Sequence, residues 1–138
     1  LKNYFLILVF FLSSCLGDFY GDKDLGADFY YMVEPSFNSI FIASSKDNPY
    51  ESLGPYVIKD VESLGFNDQF ILVSAKNNDT LTRYYVIDKV KELKRNYEDR
   101  LLETNLIALD AVEFKKLSVI YKINLKTNEE YWKENGWK

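Results

Sequence analysis

The feature that most constrains this chain is a change of hydrophobic period near residue 89. Ahead of it, short runs carry apolar residues at every second position, the signature of strands with one face buried. Ala27, Phe29, Tyr31 and Val33 fall on one face, and Glu34-Pro35-Ser36 then supplies a turn before Phe37–Ser44. These two runs predict a first hairpin. Ser45–Pro55 is rich in loop formers. Tyr56–Phe66 reads as one strand, Asn67-Asp68 as a two-residue hairpin turn, and Gln69–Ala75 as the returning strand. In that register Gly65 lies opposite Phe70, whose ring would cover the bare glycine backbone. Lys76–Leu81 is a longer loop and Thr82–Asp88 the next strand. Phe70-Ile71-Leu72-Val73 and Tyr84-Tyr85-Val86-Ile87 are apolar without interruption, which predicts a sheet covered on both faces there.

Beyond this point the spacing is helical. Val90, Leu93, Tyr97 and Leu101 form a stripe at intervals of three and four. Leu106–Leu109 reads as a short strand. Asp110-Ala-Val-Glu113 and Thr127-Asn-Glu-Glu130 are two capping boxes, in which the first side chain and the fourth each bond the other's backbone amide. The first opens a helix running to about Tyr121, and the second opens a short helix that Gly136 would stop. The expected fold is α+β: an antiparallel meander sheet of about five strands with C-terminal helices packed on one face.

The chain of 138 residues has the length of one domain. It begins LKNYFLILVFFLSSC, in which one basic residue precedes nine unbroken apolar residues, Tyr4–Leu12, and two serines. This is the layout of a secretory signal peptide, and the apolar run falls well short of the ~20 residues a membrane span needs. Leu12-Ser13-Ser14-Cys15 resembles the lipobox of bacterial lipoproteins: an aliphatic residue, two small ones, then cysteine. The resemblance implies cleavage between Ser14 and Cys15, and a diacylglyceryl thioether with further acylation such as palmitate on Cys15. Two or three acyl chains hold firmly where one is marginal. Leu16, where Asp would resemble an inner-membrane retention signal, leans toward the outer membrane in a Gram-negative host. Leu1 stands where Met is usual, as a literally translated alternative start codon or a clipped gene start would produce. The expected organisation is a cleaved signal peptide over 1–14, lipidated Cys15 with a tether to residue 25, and one globular domain over 26–138.

A second resemblance lies in the strands. Asn67-Asp68-Gln69-Phe70-Ile71 and Tyr84-Tyr85-Val86-Ile87-Asp88-Lys89 are similar to a domain-of-unknown-function family of small, uncharacterised bacterial lipoproteins. Leu109-Asp110…Glu113-Phe114 matches in part, without the family's proline, and Val90–Asn105 is longer than the family's connection. The similarity covers about a quarter of the chain. It implies a lipoprotein and no activity.

Composition limits the chemistry. There is no histidine and only one cysteine, so Ser/His/Asp and Cys/His nucleophile systems and ordinary zinc sites are excluded. The net charge of −4 argues against nucleic acid, which requires a basic stripe. Asp22, Asp24 and Asp28 have calcium-loop spacing, but the glycine and glutamate of an EF-hand are missing, and a solvated tether is the plainer reading. No cofactor is expected. Aromatics make up 17% of the chain, and Trp132, Trp137, Tyr84 and Tyr85 are candidates for a recognition surface, since rigid rings suit interfaces and sugar platforms. The expected function is that of a non-catalytic envelope lipoprotein, held to the membrane by lipid and binding another envelope protein or a glycan. The alternative is a small carboxylate-dependent hydrolase of glycosidase type, whose two acids would stand at set separation in a cleft.

Overall fold

The computed structural model describes residues 22–34, 37–43, 53–76, 80–93 and 106–134. Nine strands and three helices run through these residues in the order β1 (Asp22–Gly26), β2 (Phe29–Glu34), β3 (Phe37–Ala43), β4 (Leu53–Ile58), β5 (Val61–Phe66), β6 (Phe70–Ala75), β7 (Arg83–Asp88), α1 (Lys89–Leu93), β8 (Ile107–Leu109), α2 (Ala111–Ile120), β9 (Lys126–Thr127) and α3 (Asn128–Glu134). The fold is α+β. Strands β1 to β4 form one antiparallel sheet in sequential order, and the second sheet has the order β8-β7-β6-β5-β9. The five-stranded antiparallel meander with C-terminal helices is therefore joined by a second, four-stranded layer.

One core fills the space between the sheets. Leu25, Phe29, Tyr31, Ile40 and Ile58 meet Val61, Leu64, Ile71, Val73, Ala75, Tyr85 and Ile87 there. On the outer face of the five-stranded sheet, Leu72 and Val86 pack with Phe114 of α2 and with Ile123. Alternate residues of β6 and β7 thus go to two different cores, which is why the runs Phe70–Val73 and Tyr84–Ile87 are apolar without interruption. Helix α3 approaches from the other side: Tyr131 enters the inter-sheet core and Trp132 packs at its margin.

Three local departures from the sequence reading have physical causes. Residues 22–25, placed in the tether, belong to β1, which pairs with β2 from Asp22 opposite Met32 to Gly26 opposite Phe29. A bulge between Asp24 and Gly26 inserts Leu25, and bulges re-aim side chains. Leu25 is wholly buried as a result, a gain of about 2 kcal/mol that a count of glycines and aspartates does not register. Ala27 and Asp28 follow at φ 54° and 65°, the two left-handed positions of a tight hairpin turn.

The expected strand over 56–66 is two strands. Asp60 takes φ 53°, and at that kink the chain passes from the four-stranded to the five-stranded sheet. The β5–β6 register also differs from the expected one: Phe66 pairs with Ile71, and Gly65 with Leu72 rather than Phe70. The Asn67 side chain accepts from the amides of Gln69 and Phe70 at 2.9 and 2.7 Å, which widens the turn beyond two residues. The shift is even, so every side chain keeps its face. Gly65 is covered by the backbone at Asn124, whose carbonyl would lie 2.4 Å from any Cβ placed there. Phe70 instead stacks on Tyr121, with ring centroids 4.1 Å apart.

Both capping boxes are formed. Asp110 Oδ1 accepts from the Glu113 amide at 2.7 Å, and Glu113 Oε2 accepts from the Asp110 amide at 3.2 Å. Thr127 and Glu130 reciprocate in the same way at 3.3 and 2.7 Å. Helix α2 ends in a paired C-terminal lock: the Ile123 amide donates to Ser118 and the Lys122 amide to Val119. This is a Schellman motif with Lys122 at φ 53° where glycine is usual. The stripe expected over Val90–Leu101 lies within the described residues only as α1, and Gly136 lies outside them.

Candidate surface on helix α2

Helix α2 is apolar on two opposite sides. Phe114, Leu117 and Tyr121 turn to the sheet and pack with Leu72, Val86 and Tyr84. At 3.6 residues per turn, Val112 and Val119 project the opposite way, with Lys115 and Lys116 to either side. Val112 is 77% exposed, Val119 73% and Ile120 55%, whereas Phe114, about half a turn from Val112 on the sheet side, is 5% exposed. Ala111, Val112, Lys115, Lys116, Val119 and Ile120 line a shallow, almost wholly apolar depression. Ile107 on the adjoining β8 adds a further exposed apolar side chain. Within the described fold the sheet covers one of these apolar sides and the other is open. Glu113, the one acid of the helix, is drawn back to the Asp110 amide, and the charged side chains that line the depression are Lys115 and Lys116.

The aromatic candidates do not gather. Tyr84 and Tyr85 are neighbours on β7 and therefore point to opposite faces. Tyr84 is half-buried, its ring 4.9 Å from that of Phe114, whereas Tyr85 lies in the inter-sheet core. Trp132 is half-buried at the margin of that same core, its indole N–H donating to Asn38 Oδ1 at 3.2 Å. Trp137, Ser14 and Cys15 lie outside the described residues. The exposed stripe on α2 was legible in principle: Val112, Val119 and Ile120 interleave with Phe114 and Leu117, giving apolar residues at every helical phase instead of one stripe.

Three buried side chains, Lys89, Tyr131 and Tyr31, bring polar groups to the inter-sheet core. Lys89 is only 2% exposed, and its ammonium donates to the Leu25 carbonyl at 2.5 Å, tying the start of α1 to β1. It reaches that oxygen across Gly26, where a Cβ would lie 3.0 Å from Nζ. Burial holds the Lys89 pKa below its usual value, against the opposing pull of Asp68 and Asp24. Tyr131 donates to the Leu64 carbonyl at 3.3 Å and meets the ring of Tyr31 edge-on at 5.3 Å. Burial, with the nearby acids Glu134 and Glu130, pushes the Tyr131 phenol up to about 12. Tyr31 is raised further, by burial and then by Tyr131, and its hydroxyl has no hydrogen-bond partner among the described residues.

A hydrolytic acid of glycosidase type is held protonated near neutral pH. The two described carboxylates with displaced pKa values both move the other way. Glu62 is lowered by the Thr82 hydroxyl at 2.7 Å and by Lys76 at 3.0 Å, and Glu130 is lowered by the Thr127 amide. Among the described residues no cluster of three acids has metal-binding geometry, and no helix is long and apolar enough to cross a membrane. Asp24 is engaged locally, accepting from the Gly26 amide at 2.8 Å. No family model matches the chain, and no curated protein or solved structure gives a significant match.

Proposed function

We propose that this chain is an envelope lipoprotein, held at a membrane through acylated Cys15, whose folded domain is a non-catalytic interaction module. The anchor rests on Leu12-Ser13-Ser14-Cys15 standing directly behind the apolar run Tyr4–Leu12. The interaction surface rests on one observation: Val112, Val119 and Ile120 are exposed together on a helix whose other side is fully used by the core. Isolated surface valines are ordinary, but a contiguous apolar strip on a regular element marks a contact site. The domain supplies a rigid mount for it, since α2 is fixed at both ends by its caps and along its length by Phe114.

The anchor is tested by replacing Cys15 with Ser and following palmitate incorporation and membrane fractionation. The wild-type chain takes up label and sediments with membranes, and Cys15→Ser does not incorporate label. Undiminished labelling of the variant refutes the anchor.

A further inference from the structure

We propose that the outer face of α2 seats on the lipid surface itself, in the headgroup layer of an anionic leaflet, and so sets the orientation of the anchored domain. The proposal rests on the anchoring of Cys15 stated above. The chemistry of the face carries it. Val112 and Val119 lie within about 20° of each other around the helix axis, and Lys115 and Lys116 flank them at roughly equal angles. Ile120 and Ala111 extend the apolar surface on the two margins, and all six residues line the same depression. Long lysine stems beside an apolar centre place methylenes in the interface while the ammonium groups reach phosphate oxygens. The molecule as a whole is acidic, at net −4, so attraction to an anionic surface is confined to such a patch and orients the chain.

A second copy is a poor occupant. A two-fold axis through the centre of the Val112–Val119 strip would set Lys115 and Lys116 against their own symmetry mates, with no acid of α2 facing them. One ten-residue helix with four exposed apolar side chains, Ile107 included, also falls short of the ~800 Å² per partner that stable pairs bury.

The reach of the chain fits the leaflet. Six residues lie between Cys15 and Asp22, the first residue of β1, and the seven Cα-to-Cα steps span at most ~25 Å. β1 belongs to the four-stranded sheet, and α2 lies two layers away across the five-stranded sheet, a separation of ~20 Å at ordinary layer spacing. Adding the ~5 Å radius of α2, the leaflet stands ~25 Å from the β1 layer, a distance the anchor segment spans when fully extended.

The test uses the full acylated chain on vesicles of phosphatidylethanolamine and phosphatidylglycerol. Once Cys15 is acylated the chain has no free thiol, so Val119→Cys provides a unique site for a nitroxide label. Leu81→Cys, at a position 69% exposed before β7, serves as the aqueous reference. Accessibility to oxygen relative to a water-soluble nickel chelate should rise severalfold at position 119 and stay at its aqueous value at 81. Lys115→Glu with Lys116→Glu, both solvent-exposed changes, should return position 119 to the aqueous value. Three results overturn the proposal: position 119 as aqueous as 81 on the vesicles, position 119 equally shielded without vesicles, or a photo-crosslinker at 119 that captures protein while the nitroxide remains aqueous. Palmitate incorporation on the same samples separates the two readings. Acylated protein with an aqueous position 119 leaves the anchor standing and refutes the seating, whereas unacylated protein refutes both.

Discussion

Gly65→Ala should destabilise the fold by about 2 kcal/mol, although alanine ordinarily improves on glycine inside a strand. The added Cβ would lie 2.4 Å from the Asn124 carbonyl oxygen and 2.6 Å from Ile123 Cγ2. Ordinary contact requires the 123–124 segment to withdraw by roughly 1 Å. That segment cannot move freely. Ile123 is buried beside Leu72 and Phe114, and β9 pairs with β5 two residues further on, through Leu64–Lys126 and Ser63–Thr127. Overpacking of this kind costs about 1–3 kcal/mol, and a backbone obstacle puts it at the upper end. The lower entropy of the unfolded alanine chain returns about 0.4–1 kcal/mol, leaving a net loss near 2. Equilibrium urea unfolding followed by circular dichroism should show the midpoint falling by about 1 M at unchanged slope. In the register expected from sequence, only the movable ring of Phe70 would oppose the new methyl, and the change would be nearly neutral. An unchanged or raised midpoint therefore refutes the close approach of residues 123–124.

Tyr131→Phe removes the bond to the Leu64 carbonyl and should cost about 1 kcal/mol at neutral pH by urea unfolding. Because the folded phenol is raised to about 12, its contribution is present in full below pH ~10 and is lost as pH rises toward 12. The variant should show a shallower alkaline decline, and identical declines would refute this. Lys89→Met keeps the stem and removes the ammonium. With the folded pKa below the unfolded ~10.5, the unfolded chain binds more protons across that window, so wild-type stability relative to the variant should rise with pH there. Parallel stability profiles of the two proteins would contradict the burial of a charged Lys89.

The legible parts of this molecule are those settled within a few residues. The runs at Phe70–Ala75 and Arg83–Asp88 announce their strands because β-branched and aromatic side chains suit a half-buried or fully buried pleat. Asp110 and Thr127 announce their helices because a cap bonds an amide only three positions away. The split between Tyr84 and Tyr85 also follows from the pleat, once neighbouring residues are sent to opposite faces. β1 was not legible, because Leu25 becomes a core residue only through a bulge and through Lys89, sixty-four positions away.

By itself, then, the order of residues determined the α+β class, the strand-to-helix transition, both helix starts and the short-range caps, all of which depend on neighbours in the chain. Tertiary structure alone decided that the strands divide into two sheets at Asp60, that Gly65 receives Asn124, and that Tyr31 meets Tyr131. It also decided which side of α2 is left uncovered. The physical reason is range: a hydrogen-bonded cap or a pleat is satisfied locally, whereas burial is a property of whatever arrives from elsewhere in the chain, and no local pattern states what that will be.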